Sequence, residues 1–187
     1  QMDEYRGVSC TDPRSMAACL HKHLVSPLGV KEFVHFNDDR GNLLSNFSEY
    51  ENSLKDRGGI DLVVHGIGRN GHIGFNEPGS DWSSETRSVD LAASTLEANF
   101  AGQDIDLRDA LRTGVTLGLG VLTKARHAVL LLSGSHKSEI VRRFFQEEPD
   151  PGIPASSLSM NDEVHILVDR ETIVGVEELI GGLVDIP

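Results

Sequence analysis

The sequence predicts an α/β fold: a doubly wound, mostly parallel sheet with helices on both faces. Three observations carry this reading. Short apolar runs of strand type alternate with segments whose apolar residues recur at helical spacing. Glycine-rich or polar turns separate them. The two clearest strands, 60–65 and His127–Leu132, both run into turns dense in glycine, hydroxyl and titratable side chains. That is the composition expected at the carboxyl edge of a parallel sheet, where α/β proteins place their ligands.

The elements follow in order. Thr11 or Asp12 as N-cap, with Pro13 at the first helical position, predicts a helix running to about residue 25 and ended by Ser26-Pro27-Leu28-Gly29. Residues 32–36 read as a short strand, followed by a polar loop. Leu44, Phe47, Glu51 and Leu54, spaced by three, four and three residues, mark a one-faced helix that stops at Gly58-Gly59. Residues 80–113 are mixed and polar and read as loop plus one helix near 94–100. Val115-Thr116-Leu117 opens an apolar segment, and 118–125 reads as a short helix. After His127–Leu132, a helix presents Ile140, Val141, Phe144 and Phe145 on one face. A proline-rich connection over 149–154 leads to a last strand, Val164–Val168. No repeat or low-complexity tract interrupts this, so 1–187 reads as a single domain.

Composition narrows the function classes. The chain has 187 residues, 39% hydrophobic and 25% charged, as in ordinary globular proteins. The formal net charge is −12 and no more than two Lys or Arg are consecutive, which argues against a nucleic-acid surface. An anionic substrate would need local positive charge or backbone N–H donors, because the overall field opposes it. Two cysteines, Cys10 and Cys19, suggest neither a disulfide framework nor a Cys/His metal site. No apolar run has the length of a membrane span and no signal peptide is visible, so the expectation is a cytoplasmic protein without membrane partners. The first residue is Gln1, and its neighbours do not resemble a disordered start; the chain is expected to begin partway through a domain.

The richest stretch is 61–80, DLVVHGIGRNGHIGFNEPGS. Gly66-x-Gly68-x-x-Gly71 matches the dinucleotide fingerprint after a strand, but that motif needs a helix to start within it and continue. Gly74 and the Asn76-Glu77-Pro78-Gly79 turn interrupt any such helix, and Asp90 alone is weak support for a ribose-binding acid. A structural loop carrying an incidental histidine is the plain alternative. Three glycines with Asn70, His72, Asn76 and Glu77 directly after a strand favour a site instead. A second turn, Ser133-Gly134-Ser135-His136-Lys137, offers N–H donors, hydroxyls and a lysine, a natural seat for phosphate. Lys137 alone would read as a solvated helix residue. It gains weight because adjacent parallel strands would bring both turns to one edge.

The run Gly66-Ile67-Gly68-Arg69-Asn70-Gly71-His72-Ile73-Gly74-Phe75-Asn76-Glu77-Pro78-Gly79 closely resembles the signature of the hexosamine-6-phosphate deaminases, also called glucosamine- or galactosamine-6-phosphate isomerases. Met2-Asp3-Glu4-Tyr5, the segment Thr116 to Leu122, and Leu132 to Lys137 resemble further segments of that family, so the likeness covers residues 1 to about 170. The resemblance implies a Rossmann-like fold of the deaminase/isomerase type and the conversion of an amino-sugar 6-phosphate into a ketohexose 6-phosphate plus ammonia. It assigns Asp3 to proton transfer between C2 and C1, and His72 to ring opening, with Glu77 and Asn70 orienting it. It places Gly66, Gly68, Gly71, Ser135 and Lys137 at the substrate, with Lys137 on the phosphate. No metal or organic cofactor is implied, the partner is a small-molecule sugar phosphate, and homo-oligomerisation is left open.

Four departures qualify the match. Asn70 stands where glucosamine-type enzymes usually carry Asp, which tilts the expectation toward galactosamine-type members and toward a less basic His72. An arginine expected after Asn99 is replaced by Phe100-Ala101-Gly102. At the family's regulatory site Arg87 remains but Val89 takes a lysine position, so allosteric activation is not expected. The family's earlier strand and phosphate-wrapping loop do not precede Asp3, so the domain is expected to lack its N-terminal β-α portion. Two other functions stay open: a 6-phosphogluconolactonase-like hydrolase, which shares the fold, and a catalytically silent sugar-phosphate sensor. Asn76-Glu77-Pro78 speaks against the first, and the lack of a DNA-binding helix pair weakens the second.

Overall fold

A computed structural model describes residues 1–44, 46–100, 111–146, 148–174 and 178. It contains two three-stranded sheets. Strands β2 (Leu62–Gly66), β5 (His127–Leu132) and β6 (Val164–Val168) form a parallel sheet in the order β2-β5-β6. Strands β1 (Asp3–Tyr5), β4 (Thr113–Thr116) and β3 (Arg87–Asp90) form an antiparallel sheet in the order β1-β4-β3. The fold is therefore α/β with a parallel sheet, as the pattern predicts, and a second small sheet joins it. β3 escapes sequence reading because its four residues, RSVD, offer a single apolar side chain.

Alternation decides the faces of the parallel sheet. Val63, His65, Ala128, Leu130 and Leu132 are buried, whereas Leu62, Val64, Leu131 and Leu167 point outward and are exposed. The buried side chains join Tyr50 of helix α2 (Phe47–Asp56), Leu119 and Leu122 of α4 (Leu119–Leu122), and Ile140 and Val141 of α5 (Ser138–Gln146) in the main core. A second core gathers Tyr5, Phe75, Leu91, Leu96, Phe100 and Leu111 around helix α3 (Ala93–Asn99). Tyr5 is central there, its ring centroid 5.0 Å from that of Phe75 and 5.3 Å from that of Phe100.

Helix α1 (Met16–Leu20) is capped by Ser15, not by Thr11 or Asp12, and continues as a π-helical turn over His21–Val25. Asp12 instead accepts from the backbone N–H and guanidinium of Arg14. The start of α1 is set from a distance. The buried Glu4 carboxylate accepts from Ser15 Oγ (2.7 Å), Met16 N–H (3.1 Å) and Ala17 N–H (3.0 Å), neutralising the positive helix end.

The strand expected at 32–36 does not form. The Phe36 N–H donates to the Gln1 side chain (3.0 Å) and its carbonyl accepts from Leu44 N–H (2.8 Å), so this backbone is satisfied outside any ladder. Only an isolated bridge, Asn37 to Leu43, occurs nearby. Helices α2 to α5 fall where the sequence signals place them, α2 being capped by Asn46 and ended at Gly58 and Gly59, both with positive φ. The 149–154 connection runs into a 3₁₀ segment, Pro154–Met160, and a short helix α6 (Arg170–Ile173) follows β6.

The parallel register pairs Gly66 with Leu131. The glycine turn after β2 and the Ser133–Lys137 turn after β5 therefore leave the sheet side by side at its carboxyl edge.

Candidate active site

A cavity of about 390 Å³ opens at that edge. Gly66, Gly68, Asn70 and His72 line it from the first turn and Lys137 from the second. Asp3 reaches it from β1, and Thr95 and Asn99 from α3. Three of the four segments that carry the resemblance thus meet in one volume although Asp3 and Lys137 are far apart in sequence; the segment Thr116 to Leu122 does not line it.

His72 is held on three sides. Gly68 lies so close beneath the ring that a Cβ there would fall 2.1 Å from Cε1 and 2.3 Å from Nδ1. The Gly68 N–H donates to the His72 carbonyl (2.9 Å), closing the turn that presses the two together. On the ring edge, Nδ1 lies 2.8 Å from Asn70 Oδ1 and 3.1 Å from Thr95 Oγ1. Asn70 in turn donates through Nδ2 to Glu77 Oε2 (2.8 Å). Because a carboxylate only accepts, the amide nitrogen must face Glu77 and the amide oxygen must face His72. Nδ1 then carries the proton, and Nε2 keeps its lone pair.

Glu77 lies 3.8 Å from His72 Nδ1, too far for a hydrogen bond. It orients the imidazole through Asn70, and its other oxygen accepts from Ala92 N–H (3.1 Å) ahead of α3. Burial holds the His72 pKa below its ordinary value, with Glu77 opposing the shift and Lys137 adding to it.

The Asp3 carboxyl is strongly perturbed. Burial raises it to about 7, and the charge of neighbouring Glu4 adds to the effect. A carboxyl poised there can both take and return a proton near neutrality. Burial likewise lowers the ammonium pKa of Lys137, against the pull of Asp169. Asp169 anchors this turn by accepting from the Gly134 N–H (2.9 Å). Gly134, at φ +93, lacks the Cβ that would fall 2.7 Å from the His136 ring.

Three expected residues stand outside the cavity lining. Glu77 acts through Asn70, as above. Gly71, at φ +92, packs under Ile153, where a Cβ would lie 3.0 Å from its side chain, so it serves the turn and the core. Ser135 is exposed, and its carbonyl caps the Ser138 hydroxyl (2.8 Å). Conversely, Arg69, His136, Thr95 and Asn99 line the cavity without having been singled out. Arg69 and His136 were inside the quoted motifs, but the cavity faces only some members of each turn. Thr95 and Asn99 depend on how α3 docks, which no local pattern encodes. Together Arg69 and Lys137 supply local positive charge within a chain of net charge −12.

Asn76 is a structural bolt: buried, it donates to the carbonyls of Ile73 (3.1 Å) and Leu117 (2.9 Å) and accepts from Arg87 (2.9 Å). Arg87 also bonds Ser80 and Ser84, bracing the loop after the Asn-Glu-Pro-Gly turn. Phe100, where an arginine was expected, is buried in the second core; Ala101 and Gly102 lie outside the described residues. Among the described residues no helix is long and apolar enough to cross a membrane.

The profile of the family described as glucosamine-6-phosphate isomerases/6-phosphogluconolactonase matches residues 1–167. The chain belongs to this family. Within the family, it is 37% identical to a glucosamine-6-phosphate deaminase of Halalkalibacterium halodurans, over 92% of this chain and 70% of that protein. Glucosamine-6-phosphate deaminase 2 of Bacillus subtilis is 35% identical over 90% of this chain and 69% of its own length. A solved structure described as a monomeric glucosamine-6-phosphate deaminase superposes with a TM-score of 0.80 at 31% identity, covering 92% of this chain and 72% of that one. A 6-phosphogluconolactonase from Leishmania guyanensis gives 0.68 at 22% identity, over 94% and 73%, a likeness of fold alone.

Proposed function

We propose that residues 1–187 act as one sugar-phosphate domain, an amino-sugar 6-phosphate deaminase/isomerase that releases ammonia and leaves a ketohexose 6-phosphate. The observation that carries this is the convergence of Asp3, His72 and Lys137 on one cavity at the carboxyl edge of the parallel sheet.

Each residue has a distinct task. Lys137, with Arg69 nearby on the lining, neutralises the phosphate. His72, its Nδ1 proton held by Asn70, uses Nε2 to take the proton of the anomeric hydroxyl and deliver it to the ring oxygen, opening the sugar. Asp3 then removes the C2 proton while the substrate ammonium gives one of its protons to the C1 oxygen, forming an enolamine, and the protonated Asp3 returns its proton to C1, which leaves an iminium at C2. Water adds at that carbon and ammonia departs. No step calls for a metal or an organic cofactor.

The relatives named as glucosamine-6-phosphate deaminases support glucosamine 6-phosphate as the substrate. Asn70 is the reason to assay galactosamine 6-phosphate beside it. Ammonia release is expected from at least one of the two, and the ratio of kcat/KM assigns the epimer. Silence of the folded chain on both would overturn the proposal in favour of a sensor.

A further inference from the structure

Away from the cavity, among the described residues, His127, Glu163 and His165 bring one ligand atom each to within 4.8 Å of one another. The topology explains why. Ala128 is in register with Val164, so His127 opens β5 beside Glu163, and His165 stands two residues beyond Glu163 on the same outward face. The Ala128 N–H donates to the Glu163 carbonyl (2.9 Å), which ties the backbone of Glu163 to β5. These are the amino-terminal ends of the strands, whereas the catalytic turns leave the carboxyl ends.

Glu163 Oε2 lies 3.1 Å from His127 Nδ1, and Oε1 lies 2.9 Å from His165 Nε2. A tetrahedral ion held at about 2.0–2.1 Å separates its ligand atoms by about 3.3 Å, so ligand atoms that lie within 4.8 Å of one another would close onto it by side-chain rotation. All three side chains are about half exposed, which leaves an ion free to enter and water free to complete its shell. Two imidazole nitrogens and one carboxylate oxygen suit a borderline divalent transition metal; magnesium and calcium ask for oxygen alone. The net charge of −12 draws cations to the molecule.

We propose that His127, Glu163 and His165 form a zinc-type metal site that clips β5 to β6 at the edge opposite the active site. It binds the folded chain and not the unfolded one, and so adds to stability without entering the reaction.

The test uses the full chain stripped with a chelator and titrated with zinc chloride against a chromophoric competitor. One equivalent per chain is expected, with a Tm that rises as zinc is added. His127→Asn, His165→Asn and Glu163→Gln should each weaken binding by more than the roughly 10–100-fold typical of losing a second-sphere partner. Each should also abolish the zinc-dependent rise in Tm. Magnesium at equal concentration should not compete. Cobalt(II) added to the unaltered chain should shift the amide resonances at the starts of β5 and β6, which keeps the test decisive if a variant folds poorly. Absence of saturable binding would overturn the site and leave the triad a hydrogen-bonded clip. Binding retained by all three variants, or cobalt shifts centred elsewhere, would overturn it equally.

Discussion

A methyl group at residue 68 would sit 2.1 Å from Cε1 of His72, so the imidazole proposed to open the ring occupies space that only glycine leaves open. Gly68→Ala is expected to preserve the fold and displace the ring, lowering kcat by about 10²–10⁴-fold, the usual worth of a general acid–base. An unchanged kcat with an unchanged circular dichroism spectrum would remove His72 from the proposed mechanism. Asp3→Asn should lower kcat by a comparable factor with KM largely kept, because the amide retains size but cannot exchange the C2 proton. At Asn70 the structure makes a sharper statement than the residue type alone. Asn70→Asp replaces a donor 2.8 Å from Glu77 Oε2 with a second carboxylate. The added negative charge should raise the His72 pKa, read from its imidazole resonance as pH is varied. A titration that does not move would refute the orienting role of residue 70.

At the scale of elements, the site depends on two joints between non-neighbouring segments. Glu4 joins β1 to α1, accepting from Gln1 Nε2, Tyr5 N–H, Ser15 Oγ and the Met16 and Ala17 N–H groups, all at 2.7–3.1 Å. Glu4→Gln places a donor where several donors converge and removes charge from the helix end. A loss of about 2–4 kcal/mol is expected, measured as a lower urea midpoint at constant m-value. Since Asp3 immediately precedes Glu4, the same change should loosen the carboxyl proposed to move the C2 proton. The second joint is Asn76, which bolts the Asn-Glu-Pro-Gly turn to the residues around β4 through Thr116 Oγ1 and the Leu117 carbonyl. The antiparallel sheet then carries Asp3 on β1, opposite Thr116, to the edge where the parallel sheet delivers His72.

Across the whole molecule, two titratable groups shifted by desolvation set opposing pH dependences. The Asp3 carboxyl is raised from 3.8 to about 7, so the folded chain binds the extra proton between those values. Its contribution to stability is complete below about 3.8 and lost as pH rises through 7. His65, fully buried on β2 with neither ring nitrogen hydrogen-bonded, is lowered from 6.5 to about 4 by desolvation. It costs nothing above 6.5 and removes up to about 3 kcal/mol as pH falls to 4, at about 1.4 kcal/mol per unit. The two effects largely offset in the intact chain. Asp3→Asn should therefore expose a stability that drops on acidification from 6.5 to 4, and His65→Leu one that climbs on acidification from 7. Parallel urea curves for the two variants across this range would contradict both assignments.

Much of this protein was legible in its residues. Strands at His127–Leu132 and Val164–Val168, the helix faces, the glycine turn with Asn70, His72 and Glu77, and the Lys137 turn follow from periodicity and turn chemistry, because each depends on residues close in the chain, whereas Asp3 was marked only by the family resemblance. Tertiary structure alone decided the rest. The 32–36 segment lost its strand because Gln1 and Leu44 satisfy its backbone. β3 arose from a polar segment because β4 supplied the ladder. Glu77 became a second-hand partner of His72 because Asn70 stands between them. Thr95 and Asn99 entered the cavity with α3, and His127 met His165 through strand register. Local sequence sets which elements form and what chemistry they carry; packing between distant segments sets which of those side chains face one another.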